Sequence, residues 1–278
     1  MLVDVHAHIA MSGGRAAPPP RVARYAALAG IDRVLVSNRD AAPKSAGGPD
    51  RDEVQANGDC LAACAAHPRL LPLYRIRPGR LDSCFYTLAG ALTQAPFAGA
   101  VVSCVEVAGE PAEAALLRCL STLDRLGKPL FFHARRGARL TPARICELAQ
   151  RYPRLPVVIC HAEPGDELRY QSREALRSAL GRQGALLYLD TAYFSAADVA
   201  AAVGDFGVAR LLFGSDALAL EDAHTAKVIS LMDEVRQAVA PGEFRAWAGE
   251  NAARLLGLGR FAPSAPHASA PTVASAKA

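Results

Sequence analysis

Short apolar runs recur along the chain, each separated from the next by a longer stretch of helical pattern. The runs are Leu2 to Val5, Arg33 to Ser37, Leu70 to Tyr74, Gly99 to Cys104, Pro129 to His133, Pro156 to Cys160, Ala185 to Leu189 and Arg210 to Phe213. Their continuous Val, Ile and Leu character predicts strands buried on both faces, as in parallel sheets covered by helices. The intervening stretches carry helix ends. Arg21 to Ala29 stops at Gly30, Pro111 to Leu126 has Glu113 early and stops at Gly127, and Thr141-Pro142 opens a helix that runs to Tyr152; an acid or proline at the start and a glycine at the stop suit the helix ends. Asp50 to Ala66 begins with Asp50, Asp52 and Glu53 and ends before Pro68. Leu81 to Gln94, Asp166 to Arg182, Ala196 to Val203 and two segments between Glu221 and Leu258 complete the helices. Eight β-α units predict an α/β protein with a single (β/α)8 TIM barrel over residues 1–260. A doubly wound open sheet is the alternative, because periodicity does not show closure.

Two segments stand outside the repeat. Gly13 to Pro20 is a Gly/Pro-rich loop after the first run, long enough for a lid over a site or a plain connection. Residues 261–278 are Ala, Ser and Pro with few large apolar groups, and a disordered tail is expected there, with His267 in it of no consequence.

Composition narrows the class without changing this picture. With 51% hydrophobic and 21% charged residues, disorder is excluded for the bulk of the chain. The net charge of +4 comes from Lys and Arg spread along the sequence, so no nucleic-acid partner is expected, and a small anionic substrate is. Seven cysteines without secretory spacing, and no charged leader before the first run, suggest a reduced, cytoplasmic protein. No run approaches the length of a membrane span. Cys60 and Cys64 read as core packing rather than ligands. A homodimer is left open.

In a barrel the working face lies at the C-terminal ends of the strands. His6 and His8 follow the first run, His133 ends the fifth, His161 follows the sixth, and Asp216 closes Gly214-Ser215-Asp216 after the eighth. Side chains two apart in an extended segment point the same way, so His6 and His8 can hold one ion together. Each residue alone has an ordinary explanation, a solvated edge histidine or a capping aspartate. Their matching positions on four strands weaken that explanation. Imidazoles plus a carboxylate suit one divalent ion, Zn²⁺ first and Mn²⁺ or another second, which lowers the pKa of bound water and polarises a carbonyl.

Asp4-Val5-His6-Ala7-His8-Ile9, His133, His161 and Leu212-Phe213-Gly214-Ser215-Asp216 together resemble the amidohydrolase superfamily, and most closely its amidohydrolase-2 branch of metal-dependent hydrolases and decarboxylases. Ala56-Asn57 through His67-Pro68-Arg69-Leu70 and Glu250-Asn251-Ala252-Ala253-Arg254-Leu255-Leu256 resemble two of its flanking segments, so the likeness spans residues 1 to about 258. The resemblance implies that His6, His8, His133 and Asp216 ligate the metal, that His161 orients or polarises substrate, and that Asp216 is also the general base. Binuclear members carry a bridging lysine or glutamate at the end of strand 4. Here Val101-Val102-Ser103-Cys104-Val105-Glu106 has no lysine, and a mononuclear site is expected.

Arg75 and Arg77 follow strand 3, and Arg135 and Arg136 follow His133, where guanidinium groups suit capture of a carboxylate or phosphate. The competing reading pairs them with rim acids such as Glu106, Glu163 or Asp190. Asn38, Tyr193 and Thr191 are candidates for neutral hydrogen bonds to substrate. His67 is expected to cap a helix, and His224 to lie at the surface or rim. The leading expectation is a hydrolase that cleaves an amide, cyclic amide or ester-like bond of a small carboxylate-bearing molecule, with metal-activated water and Asp216 as base. The alternatives are a non-oxidative decarboxylase on the same residues and a metal-free binding protein on the same barrel.

Overall fold

The computed structural model describes residues 1–11, 16–41, 52–78, 81–107, 109–135, 138–160, 174–179, 185–217 and 222–259. His161, Arg136 and the tail at 261–278 lie outside the described residues. Eight strands run in chain order around one sheet: β1 (Val3–Ile9), β2 (Arg33–Asn38), β3 (Leu70–Ile76), β4 (Gly99–Ser103), β5 (Leu130–His133), β6 (Val157–Cys160), β7 (Leu187–Asp190) and β8 (Leu211–Leu212). Each pairs in parallel with the next. The seam between first and last is joined by Val5 N donating to Phe213 O at 2.9 Å and His8 N donating to Ala217 O at 3.0 Å. The helices between them are α1 (Pro19–Leu28), α2 (Glu53–Ala66), α3 (Leu81–Gln94), α4 (Glu110–Leu126), α5 (Pro142–Arg151), a short α6 at 174–179 and α7 (Ala196–Phe206). After β8 come α8 (Asp222–Ala238), α9 (Pro241–Arg245), a π-helical turn over Ala246–Glu250 and α10 (Asn251–Leu255). This is the (β/α)8 barrel expected from the pattern of runs. Among the described residues no helix is long and apolar enough to cross a membrane.

Two apolar clusters divide the work. Val3, Val5, Leu35, Leu73, Val101, Phe131, Val158, Cys160 and Leu212 fill the barrel interior, and a larger cluster lies between sheet and helices. Side chains alternate along a strand, so two residues beyond each interior residue the next inward position follows. Those positions include Ser37, Arg75, Ser103, His133 and, two beyond the partly buried Tyr188, Asp190. The apolar floor therefore gives way to a polar layer within one step of the pleat.

β1 departs from simple alternation. Its register with β2 passes from Asp4–Val34 to Ala7–Val36, three residues against two. Such a bulge shifts the side-chain parity. Val3 and Val5 face the interior below it, Ala7 and Ile9 face the helices above it, and His6 and His8 thus turn inward. The strand also runs to Ile9 instead of ending at Val5, so both histidines lie within it rather than after it. β8 is shorter than the apolar run, because Phe213 N donates to Trp247 O in the π-helical turn at 3.1 Å and leaves the ladder.

Asp4 takes the one outward place on β1 where the seam needs acceptors. Its carboxylate accepts from His6 N and Ser215 N at 3.0 Å each, from Tyr25 Oη at 3.0 Å and from Ser215 Oγ at 2.6 Å. Burial lifts its pKa to about 6 even though all four bonds favour the anion. The Asp4→Ala protein should lose about 3 kcal/mol, since several buried donors are left unmet. Urea unfolding measures this, and a loss near zero would mean that the seam does not depend on these bonds.

Candidate metal centre and its cationic rim

His6 and His8 on β1, His133 at the end of β5 and Asp216 after β8 converge at the barrel mouth. The three imidazole centroids lie 4.4 Å (His6–His133), 5.2 Å (His6–His8) and 5.2 Å (His8–His133) apart. Asp216 Oδ1 is 3.2 Å from Nε2 of both His6 and His8. These atoms are buried, and their contacts lack hydrogen-bond geometry. His6 Nδ1 is held by Asp190 Oδ2 at 2.5 Å and His8 Nδ1 by Ser37 Oγ at 2.9 Å. An ionised carboxylate only accepts, so the His6 proton sits on Nδ1 and Nε2 faces the centre. The other oxygen of Asp216, Oδ2, accepts the Tyr193 hydroxyl.

Charge at the centre is shared unevenly. Burial works against a proton on His6, but the carboxylates of Asp216 and Asp190 outweigh it and raise its pKa to about 10. Burial lowers that of His8 to about 3, helped by the charges of His6 and Arg39 against the pull of Asp216. Burial also opposes the Asp216 anion, yet His6 and His8 hold it well below the usual carboxylate range. Asp216 and Tyr193 are the two described non-glycine residues with positive φ, at 47° and 65°. Backbone held in this region is a marker of sites where side-chain placement is over-determined by the surroundings.

The family model described as Amidohydrolase, of the amidohydrolase-2 type, matches residues 3–258. The chain belongs to the amidohydrolase-2 family. No curated protein matches its sequence. Among solved structures it is similar to 5-carboxyvanillate decarboxylase LigW from Sphingomonas paucimobilis, with 16% identity, TM-score 0.66, and 92% of this chain and 98% of that one covered. It is likewise similar to a dihydroxybenzoic acid decarboxylase from a Polaromonas species with bound manganese and the inhibitor 2-nitroresorcinol, with 16% identity, TM-score 0.67, and coverage of 94% and 98%. A third is 2,6-dihydroxybenzoate decarboxylase from Rhizobium, with 14% identity, TM-score 0.65, and coverage of 92% and 98%. At these identities the likeness is one of fold.

The residues of this amidohydrolase-2 chain fit a divalent ion. Among the described residues Nε2 of His8 is buried without a hydrogen-bond partner, and it faces a carboxylate oxygen and two further imidazoles. Two groups of possible ligand atoms meet within 4.8 Å, His6–His8–Asp216 and His6–His133–Cys160, and they share His6. Three nitrogens and one oxygen are a donor set for Zn²⁺ or Mn²⁺. Cys160 packs in the apolar interior, where burial raises its thiol well above the ordinary value. Glu106 belongs to neither group.

A cationic half faces this centre. Arg75 on β3 is 2% exposed, and its Nη2 donates to Glu106 Oε1 at 2.5 Å. Asn57 of α2 clamps its backbone, accepting from Arg75 N at 2.8 Å and donating to Arg75 O at 3.0 Å. Arg39, after β2, is half-buried; burial depresses its pKa, and so do the charges of Arg75 and Arg135, against the pull of Asp216 and Glu106. Arg135 is exposed.

Arg77 is buried beside Glu53, whose Oε2 accepts from Arg77 N at 3.2 Å. Burial lifts Glu53 from 4.5 to about 7, against bonds from Tyr74 and Arg77. The unfolded chain therefore ionises first, and stability present at low pH is lost as pH rises from 4.5 through about 7. Relative to Glu53→Gln, the wild type should lose roughly 3 kcal/mol between about pH 4 and about pH 8. Urea unfolding at both pH values reads it out, and a pH-independent difference would overturn it.

Several expectations need correction. Asn38 does not offer its amide to a substrate: it is buried, donates to Ala56 O at 2.9 Å and accepts from Asp40 N at 2.9 Å. Thr191 is likewise committed, donating to Leu212 O and accepting from Trp247 Nε1. Asp190 is no rim acid for an arginine but the buried partner of His6, because β7 extends to include it. Tyr193 is 43% exposed and its hydroxyl is engaged by Asp216. His224, expected at the surface or rim, is half-buried, 5.7 Å from the Tyr25 ring. His67 caps α2 as expected. Arg39, Ser37 and Asp190 were missed as site residues; the signal was present in the inward parity of Leu35–Ser37 and Tyr188–Asp190.

Proposed function

We propose that this protein is a non-oxidative decarboxylase of a small carboxylic acid, with one divalent metal held by His6, His8, His133 and Asp216. The observation that carries the reading is the state of Asp216. A hydrolytic base needs an oxygen ready to take a proton from water. Here Oδ1 is directed at His6 and His8, and Oδ2 already accepts the Tyr193 hydroxyl. With both oxygens engaged, removal of a proton from water is disfavoured, and the decarboxylases among the similar structures support the same direction. The hydrolysis that the sequence puts first is the weaker reading on this ground.

A divalent ion at this centre supplies positive charge that stabilises the electron pair left on the substrate as CO₂ departs. The guanidinium groups of Arg39 and Arg135 hold the acid at the mouth by charge. The bond between the carboxylate carbon and its neighbour breaks, its electron pair stays on the neighbour, and that carbon takes a proton relayed from solvent by the part-exposed Tyr193 hydroxyl, which gives one proton and regains another. Asp190 and Ser37 keep the imidazoles oriented throughout. Manganese, present in the Polaromonas relative, and zinc are the ions to supply.

The test is a panel of aromatic and unsaturated carboxylic acids with the metal-supplemented protein in ¹⁸O-labelled water. Release of bicarbonate with no label in the remaining organic product is expected. Label appearing in a new carboxylate or hydroxyl without bicarbonate would replace decarboxylation by hydrolysis.

A further inference from the structure

Among the described residues, Cys160 supplies the one sulfur in the two groups of possible ligand atoms at the barrel mouth. It ends β6 and pairs in register with His133 at the end of β5. Val158 and Cys160 both belong to the interior cluster, and His133 follows the interior residue Phe131 by two. Imidazole and thiol therefore stand side by side on the inward face of neighbouring strands. Their ligand atoms and one of His6 lie within 4.8 Å of one another, and all three residues are buried. Asp190 holds Nδ1 of His6, which leaves Nε2 as the atom that His6 offers to either group. The groups His6–His133–Cys160 and His6–His8–Asp216 thus draw on one nitrogen, and an ion in one excludes an ion in the other.

The two groups differ in softness. The carboxylate of Asp216 suits Mn²⁺, whereas a thiolate selects polarisable ions. We infer that His6, His133 and Cys160 form a second cation set, selective for thiophilic ions such as Cd²⁺ and Hg²⁺, whose occupation excludes an ion from the Asp216 side. Cys160 stands in the apolar floor, where a neutral thiol is at home and a bare thiolate is not. It becomes an anion only as the sulfur–metal bond forms, and the thiol proton goes to solvent. A thiophilic ion in this set takes His6 and His133 from the ion that works beside Asp216, so it inhibits. The inference rests on the reading of this centre as a metal site and is independent of the reaction carried out there.

Titration of the chelator-treated protein with Cd²⁺ tests it. Wild-type protein should show the ultraviolet absorption of a sulfur–cadmium bond and release bound Mn²⁺ one for one, read by the paramagnetic resonance of the freed ion. Cys160→Ser and Cys160→Ala should lose the absorption and bind Cd²⁺ about a hundredfold more weakly, with Mn²⁺ affinity within about threefold of wild type. Asp216→Asn should do the reverse, weakening Mn²⁺ and keeping the absorption. Should neither Cys160 variant fold, the chemical shift of bound ¹¹³Cd in wild type and Asp216→Asn still separates a sulfur ligand from nitrogen and oxygen alone. A cadmium complex of the wild type without the sulfur signature, the same signature in a Cys160 variant, or Mn²⁺ retained beside Cd²⁺ would overturn the set while leaving the Asp216 centre in place. Failure of the wild type to bind either ion would overturn the metal centre itself, and the set with it.

Discussion

Turnover in the Asp216→Asn protein should fall by about 10³-fold or more while the fold persists. The side chain meets His6 and His8 through one oxygen and Tyr193 through the other. An amide of the same shape puts an N–H₂ group where an acceptor is needed and takes away the negative charge at the centre. Metal affinity should fall along with turnover, because one of four donors is lost. His6 and His8 hold the Asp216 anion in the folded state, so loss of its charge should also lower stability at neutral pH, and urea unfolding separates that loss from the loss of turnover. The decisive measurements are kcat on an identified substrate and metal content after dialysis. Near-normal turnover would remove Asp216 from the chemistry.

The Gly214→Ala protein should lose both stability and metal. A Cβ at this position would lie 2.0 Å from Asp190 Oδ1, 2.8 Å from its Cγ and 2.9 Å from His6 Cβ. Neither neighbour is a loose chain end. Asp190 is fully buried and also accepts from Ala192 N at 2.9 Å, and His6 stands on the bulged strand. Overpacking of this kind costs about 1–3 kcal/mol. Displacing Asp190 from His6 Nδ1 should weaken metal binding by roughly 10- to 100-fold, as loss of a ligand's supporting bond does. Urea unfolding and metal titration read the two effects separately. Wild-type metal affinity in this variant would show that the Asp190–His6 contact is not what orients the imidazole.

The fold was legible because burial on both faces leaves uninterrupted Val, Ile and Leu runs, and β2, β5 and β6 lie almost where those runs fall. The histidines and Asp216 were legible because strand ends in a barrel share one face. Their supports were not. His6 and Asp190 are 184 residues apart, and nothing local announces that their side chains meet. The bulge in β1 leaves no mark in composition, yet it alone turns His6 and His8 to the same side as Val3 and Val5. Asn38 looked like a rim amide from its place after a strand, but α2 packs close enough to take it. Hydrolysis and decarboxylation draw on the same ligands, and the Tyr193–Asp216 contact on which the proposed function rests is formed between two loops, where sequence pattern does not announce it.

The seam between β1 and β8 sets an order on events during synthesis. His6 and His8 are made well before the residues that close the ring around them, since Val5 and His8 donate to Phe213 and Ala217. Phe213 in turn is anchored by Trp247. A nascent chain stalled in its middle thus holds two imidazoles and none of the carboxylates that orient or join them. On the proposed function, metal capture should coincide with ring closure, so that the ion reports a finished barrel.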